Sequence, residues 1–271
     1  MKIHKHGFVK LLEVMGNDEE VENAARISYG EGTRKVSQTR NLIRYLMRHK
    51  HTSPFEMCEV KFHIKLPIFV MRQLVRHRTA NINEYSGRYS LMSDEFYLPA
   101  EADVQEQSSS NNQGRGKDLD ENNKMLVLGR MVAVTDQAKE CYRQIATPNP
   151  LDGFYEGFKG IARELARTVL PVSNYTECIW KIDLNNFFHF AKLRMDAHAQ
   201  KEIQDYASAM YELVKPEFPI CCEAFEDYIL NSKTFSAKDC SITFGPVTRL
   251  TDLTKDKRIR RKTIQLVRRV K

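Results

Sequence analysis

The run Arg76-His77-Arg78-Thr79-Ala80-Asn81-Ile82-Asn83-Glu84-Tyr85-Ser86-Gly87-Arg88-Tyr89-Ser90 holds the densest set of chemically useful side chains in this 271-residue chain. Cations, amides, hydroxyls and a single carboxylate meet there. Arginine forks match phosphate oxygens two at a time. The Ser86 hydroxyl and the Gly87 backbone N–H add neutral donors, and an amide side chain reads the donor–acceptor edge of a base. Together these groups fit a phosphorylated nucleotide. The competing reading is a solvated face in which Arg76, Arg78 and Arg88 pair with Glu84. The Asn, Ser and Gly content of the run distinguishes it from an ordinary amphipathic surface.

The elements around the run must position it. Strict alternation over residues 58–66 puts Val60, Phe62, Ile64 and Leu66 on one face and Glu59, Lys61, His63 and Lys65 on the other, a half-buried strand. Pro67 then fits the first position of a helix over 68–76, on which Gln73, Arg76 and His77 share a face by i, i+3 and i+4 spacing. Upstream, residues 7–14 read as a short strand. Asn17 or Asp18 caps a helix through Val21, Ala24, Ala25 and Ser28. A second helix over 37–49 places Leu42, Ile43, Leu46 and Met47 together. Residues 105–123 hold almost nothing that packs and read as a mobile surface loop. Helical spacing returns at 125–145 and 161–170, ending near Pro148 and Pro171, and its longest stretch spans 186–214. Trp180 and the many phenylalanines read as core. The mixture lacks a regular βαβ alternation and any internal repeat, which predicts an α+β fold with a small, mostly antiparallel sheet.

The net charge of +7 first suggests a nucleic-acid or membrane-surface partner, but its distribution changes that reading. Residues 255–271 hold nine cations and one anion, a net +8, which leaves −1 for the rest of the chain. The six cysteines show no metal-ligand spacing and read as reduced intracellular thiols. His49-x-His51 and Asp196-x-His198 lack the spacing of a metal site, so no metal is expected. Ser86 does not sit in a nucleophile elbow and reads as a ligand contact. No apolar run reaches membrane-spanning length and no signal peptide is evident, which predicts a cytoplasmic protein with no membrane contact.

Arg-His-Arg, then seven residues and Ser86, within Asn83-Glu84-Tyr85-Ser86-Gly87-Arg88-Tyr89, resembles the signature of the flavin-dependent thymidylate synthases. Further blocks agree in order and spacing: His51-Thr52-Ser53-Pro54-Phe55-Glu56, Pro67-Ile68-Phe69-Val70-x-Arg72-Gln73, Glu95-Phe96-Tyr97, Ala166-Arg167-x-Val169-Leu170-Pro171, and Leu193-Arg194-x-Asp196-x-His198-Ala199-Gln200. The resemblance covers residues 1–228 as one catalytic domain and leaves 229–271 as a basic C-terminal extension.

The resemblance implies a methyltransferase that converts dUMP to dTMP. Methylenetetrahydrofolate donates the carbon, FAD regenerated by NADPH donates the hydride, and tetrahydrofolate is released. It also implies a homotetramer with active sites shared between subunits. Carried over position by position, Gln73, Arg76, Glu84, Ser86, Gly87, Arg88, Arg167 and Arg194 match dUMP contacts. His51, Ser53, Arg76, His77, Arg78 and Glu84 match FAD contacts. Arg194 matches the catalytic arginine, which stabilises negative charge on the uracil ring. Asp183, Asn185 and His189 occupy further flavin positions. There Asp183 and Asn185 depart from the commoner Asn-x-Arg, exchanging an amide for a carboxylate and removing a cation, while His189 stays within the family's range.

Arg194 has independent support, because Phe187, Phe190, Ala191 and His198 at i−7, i−4, i−3 and i+4 place a cation on a largely apolar helix face. In the tail, Ile259, Thr263, Leu266, Val267 and Val270 fall at helical spacing, so an amphipathic basic helix and a solvated terminus are the two readings there. The rival for the whole chain is a nucleic-acid-binding protein whose arginine loop and tail grip phosphates. It requires a continuous basic face, whereas the near-neutral body and single dense motif favour a small phosphorylated ligand.

Overall fold

The computed structural model describes residues 1–27, 39–110 and 113–236, and the chain divides into two units, Met1–Leu230 and Asn231–Lys271. Ser28, Ser37 and the helix-spaced residues of the tail lie outside the described residues. In the first unit the strands are β1 (Lys2–Ile3), β2 (Gly7–Met15), β3 (Glu59–Pro67), β4 (Ala80–Glu84), β5 (Gln105–Gln107), β6 (Arg115–Asp118) and β7 (Tyr175–Asp183). The helices are α1 (Asp18–Arg26), α2 (Thr39–Arg48), α3 (Ser53–Glu56), α4 (Ile68–Leu74), α5 (Glu121–Ala146), α6 (Arg163–Ala166), α7 (Leu184–Arg194), α8 (Lys201–Val214) and α9 (Pro219–Phe225).

Five strands form one sheet in the order β1-β2-β3-β7-β4 with every neighbouring pair antiparallel, the α+β arrangement expected from the sequence. The alternation of β3 sets which face is buried. Phe62 lies opposite Trp180, Ile64 opposite Cys178 and Val60 opposite Ile182, all inward. Helices cover this one face: the Phe187 ring of α7 stacks on Phe62 at 5.9 Å, and Tyr206 of α8 donates to the Lys65 carbonyl at 2.7 Å. Each large side chain fully removed from water here contributes about 1.5–3 kcal/mol.

Local signals set several boundaries. Asn17 caps α1 by accepting from the Glu20 N–H at 3.0 Å. The buried Asp18 carboxylate accepts from the Ile220 and Cys221 N–H groups at 2.8 and 2.9 Å, which ties α1 to α9. α2 ends where Lys50 turns left-handed (φ 57°) and the His51 N–H closes on the Leu46 carbonyl at 3.0 Å.

Five expectations are corrected. Pro67 is the N-cap of α4 rather than its first residue, and α4 stops at Leu74, so Arg76 and His77 lie beyond the helix. The region expected as a loop after it contains an edge strand, β4, paired along β7. The expected loop over 105–123 contains the β5–β6 ribbon and the first residues of α5, which Asp120 caps. The helix expected over 161–170 is only the single turn α6 followed by a 3-10 turn, Arg167–Val169. The stretch 186–214 is two helices, because Asp196 accepts from the His198 N–H at 2.8 Å and its carbonyl from the Ala199 N–H at 2.9 Å, a side-chain turn that breaks the ladder. The longest helix described is therefore α5, and β7 is a strand that no sequence signal was used to place. Among the described residues no helix is long and apolar enough to cross a membrane.

Candidate functional site

The chemistry-bearing run lies between α4 and β7. Past Leu74 the backbone continues in tight turns, with the Arg76 N–H donating to the Gln73 carbonyl (3.4 Å) and the His77 N–H to the Leu74 carbonyl (3.0 Å). His77 is half-buried, its ring edge-on to the fully buried Phe190 of α7 at 5.0 Å. Arg76 and Arg78 point to solvent. β4 then carries the chain along β7, opposite Ala80↔Ile182 to Glu84↔Cys178, and Thr176 donates to the Glu84 carboxylate at 2.9 Å. After β4 the chain turns again: the Tyr89 and Ser90 N–H groups donate to the Ser86 carbonyl at 3.1 Å, and the Ser86 hydroxyl accepts from the Arg88 N–H at 3.3 Å.

The last turn of α7 brings Arg194 to this run. Its Nε donates to His77 Nε2 at 3.0 Å, and Nη2 lies 3.5 Å from the Gln73 carbonyl oxygen. Phe187, Phe190 and Ala191 are buried on the apolar side of α7 as expected, but His198 is exposed beyond the helix end and does not share that face. Burial, then the charge of Arg194, then His189 push the His77 imidazole down to about 4, so it is neutral at physiological pH. Burial and the nearby Arg76 hold the Arg194 guanidinium below its ordinary value, yet it stays charged. Gln200, the N-cap of α8, accepts from the Gln73 amide at 2.6 Å. Nothing local in the sequence pairs Gln200 with Gln73, 127 positions away.

Arg167, on the 3-10 turn after α6, reaches the same place. A Cβ added at the buried Gly87 would stand 3.2 Å from Arg167 Cδ and 2.8 Å from Met92 Sδ, so the glycine lets Arg167 and Met92 lie close against the backbone there. Arg88 lies 3.3 Å from Glu164, both side chains more than half exposed, and Arg163 donates to the Tyr89 carbonyl at 2.5 Å. Arg163 and Glu164 carry no local signal in the sequence, since what joins them to the run is a contact between the α6 turn and a distant loop.

Three of the expected flavin residues, Asp183, Asn185 and His189, lie at the start of α7 and along it. α3, which begins with Ser53, packs against α7. His51 just before it lies in an exposed ring cluster with Tyr45 (5.9 Å) and His49 (6.3 Å). His189 is exposed one helical turn from Asn185, its ring 6.2 Å from His77. Asp183 is occupied as the α7 N-cap: its carboxylate accepts from the Asn186 N–H at 2.9 Å and from the Asn186 side chain at 2.6 Å. Aspartate and asparagine cap equally well, so the departure at this position preserves the helix start.

The site gathers several arginines without an acidic partner, a state that Arg48, Arg72, Arg130 and Arg163 share among the described residues. Arg26, Arg40, Arg44, Arg115 and Arg143 each pair with a carboxylate. Among the described residues Arg76, Arg78, Arg167 and Arg194 pair with none, and Arg88 has only its exposed contact with Glu164. Such a patch, with Ser86 and Gln73 beside it, is built to hold an anion and a polar ring.

The family model for thymidylate synthase complementing protein matches residues 10–220. A flavin-dependent thymidylate synthase of Ehrlichia ruminantium (strain Gardel) is 50% identical over 241 residues, covering 89% of this chain and 77% of that protein. One of Gluconobacter oxydans (strain 621H) is 51% identical over 232 residues, covering 86% and 74%. One of Dictyostelium discoideum is 48% identical over 240 residues, covering 86% and 75%. Among solved structures, the UMP/dUMP methylase PolB from Streptomyces cacaoi bound with 5-Br UMP superposes with a TM-score of 0.71 at 31% identity, covering 84% of this chain and 97% of that one. The same protein bound with 5-Br dUMP gives 0.70 at 32%, covering 84% and 98%.

Proposed function

The chain belongs to the flavin-dependent thymidylate synthase family, and we propose which of its residues carry the reaction. It is a methyltransferase that makes dTMP from dUMP with FAD. The observation that carries the residue assignment is the meeting of Arg194 with the run after α4, whose Arg76 and Arg78 have no described carboxylate partner. Arg194 acts on the uracil ring. Its fixed, always-charged guanidinium stabilises negative charge at N3 and O2 and so makes C5 the better nucleophile. Gln73, Arg76, Glu84, Ser86, Gly87, Arg88 and Arg167 hold the nucleotide, the arginines at its phosphate.

FAD, when bound, supplies the hydride that completes the methyl group. The exposed rings of His51 and His189, the unpaired Arg76 and Arg78, and the donors at Ser53 and Asn185 fit a diphosphate joined to flat heteroaromatic rings. His77 and Glu84 border both ligand groups. Asp183 serves the flavin side indirectly, by fixing the start of α7 from which Asn185 and His189 project.

Methylenetetrahydrofolate is the carbon donor and NADPH the reductant in this reading, with tetrahydrofolate released. The functional unit is a homotetramer. In support, α5, about 39 Å long, exposes Met125, Leu126 and Val134 by 70, 54 and 61%, and Leu165 of α6 is 58% exposed, an apolar surface suited to a second copy. The reaction takes place in the cytoplasm, in keeping with five described cysteines that are all free thiols. Residues 229–271 are assigned as a basic C-terminal extension to the catalytic domain of 1–228, and a nucleic-acid contact there rests on its charge alone.

The test is dTMP formation by the purified flavoprotein from dUMP, methylenetetrahydrofolate and NADPH, with the flavin spectrum followed as dUMP is added. Arg194→Ala and Arg88→Ala each largely abolish product while circular dichroism stays parental. Parental turnover in either variant removes that residue from the site.

A further inference from the structure

We propose that His77 is a positioning residue for Arg194: its neutral Nε2 accepts the Arg194 Nε–H and so aims the two terminal nitrogens of the guanidinium at the ligand. The inference rests on the assignment of Arg194 to the uracil ring.

An arginine Nε–H only donates, so at 3.0 Å His77 Nε2 is the acceptor and the ring proton of the neutral imidazole sits on Nδ1. A doubly protonated ring there would set two cations against each other at hydrogen-bond distance. The charged and titratable groups around the ring are Arg194 and His189 of α7, with Arg76 from its own turn acting on Arg194, and their positive charge favours the neutral form. The imidazole is also held in place. The buried Phe190 ring meets it at 88°, and its backbone N–H is tied to Leu74. Arg194 sits at the last position of α7, with several side-chain torsions to restrain. Engaging Nε fixes the plane of the guanidinium. Nη1 then has no protein partner among the described residues, and Nη2 has only the long contact to the Gln73 carbonyl, so both remain for the ligand. A carboxylate in place of His77 would also orient the arginine but would cancel the charge that the ring anion needs. A neutral acceptor orients without neutralising.

Glutamine and asparagine separate this role from a general structural one, because the Gln Oε1 overlies the Nε2 position and the shorter Asn Oδ1 overlies Nδ1. On the FAD-loaded protein at pH 8, the dUMP dissociation constant and kcat are measured for His77→Gln and His77→Asn, each in the parent and in an Arg194→Ala background. With Arg194 present, His77→Gln is expected to bind dUMP at least threefold more tightly than His77→Asn, whatever the loss of the ring costs both variants on the flavin side. His77→Asn is expected to weaken dUMP binding about tenfold with Arg194 present and less than twofold with Arg194 absent, at parental flavin stoichiometry. Equal weakening in both backgrounds, or equal behaviour of Gln and Asn, overturns the proposal. Parental dUMP affinity in Arg194→Ala alone instead overturns the assignment of Arg194 on which it stands.

Discussion

Glu202 offers the sharpest test of how this fold holds its site. The side chain is 3% exposed, and one oxygen accepts from the Tyr97 hydroxyl at 2.6 Å and from Arg115 at 2.5 Å. Arg115 reaches it from β6 and also contacts Asp103 at 3.1 Å, so one ion pair fastens the β5–β6 ribbon to the first turn of α8. The other Glu202 oxygen is buried without a partner among the described residues. Burial, the largest influence, pushes this carboxyl up, but the Tyr97 hydrogen bond, a backbone amide and the Arg115 charge together hold it below the ordinary carboxylate range. Arg115→Ala leaves the carboxylate without its cation, held only by neutral donors such as the Tyr97 hydroxyl and the backbone amide. Removing one partner of a fully buried pair costs about 3–5 kcal/mol. The Arg115 side chain is 32% exposed, so water partly replaces it and we expect about 2–3 kcal/mol, or about 4–12 °C in Tm for a unit of this size.

The pH dependence follows from the lowered carboxyl. Its contribution is present above the unfolded value, about 4.3, and fades as pH falls through the lower folded value. Calorimetric melts of parent and Arg115→Ala are compared at pH 7.5 and pH 4. The gap should be full at pH 7.5 and smaller at pH 4, where protonation begins to remove the stranded charge in the variant. A Tm change below 1 °C at pH 7.5, or a gap that widens in acid, refutes this account of Glu202.

Gly87→Ala pushes a methyl group against Arg167 and Met92, both side chains that can give way, so we expect about tenfold weaker dUMP binding by titration with less than about 3 °C lost in Tm. Asp183→Asn keeps the cap of α7 and should melt within 1 °C of parent, whereas Asp183→Ala loses about 1 kcal/mol, or about 2–4 °C. Equal melting of the two Asp183 variants would deny the cap its role.

What was legible in the sequence is what local periodicity encodes. β3 alternates because one face meets the helices and the other does not, and α2 shows its stripe for the same reason. β4 carries no such signal: Ala-Asn-Ile-Asn-Glu is polar and almost wholly exposed, and the strand exists because β7 offers it a backbone to pair with. The β5–β6 ribbon was hidden likewise, its anchor being Glu202, 87 positions from Arg115. The two helices α7 and α8 looked like one because both pack apolar residues on the same core, so the spacing runs on across the Asp196 turn. At the site, i, i+3, i+4 spacing placed Gln73, Arg76 and His77 in the right neighbourhood on a helix that had already ended. The meeting of His77 with Arg194, 117 positions away, had no local signal at all.

The unpaired arginines explain why the body can be near neutral and still bind anions. At several places on the surface an acid stands beside a cation, as Glu223 does for Arg40 and Arg44 and Asp103 for Arg115. Surface pairs of that kind add little stability, about 0–1 kcal/mol each, so their main effect is to flatten the potential. Around the run after α4, Glu84 is engaged by Thr176 and Glu164 meets Arg88 only at the exposed surface, while burial and then the charge of Arg76 hold Arg194 below its ordinary value. Repulsion is a cost to the free protein that a bound phosphate and an electron-rich ring relieve. The same feature that destabilises the empty arrangement therefore supplies differential affinity for the charged state the reaction must reach, and neutralising it with a nearby carboxylate would trade that affinity for stability.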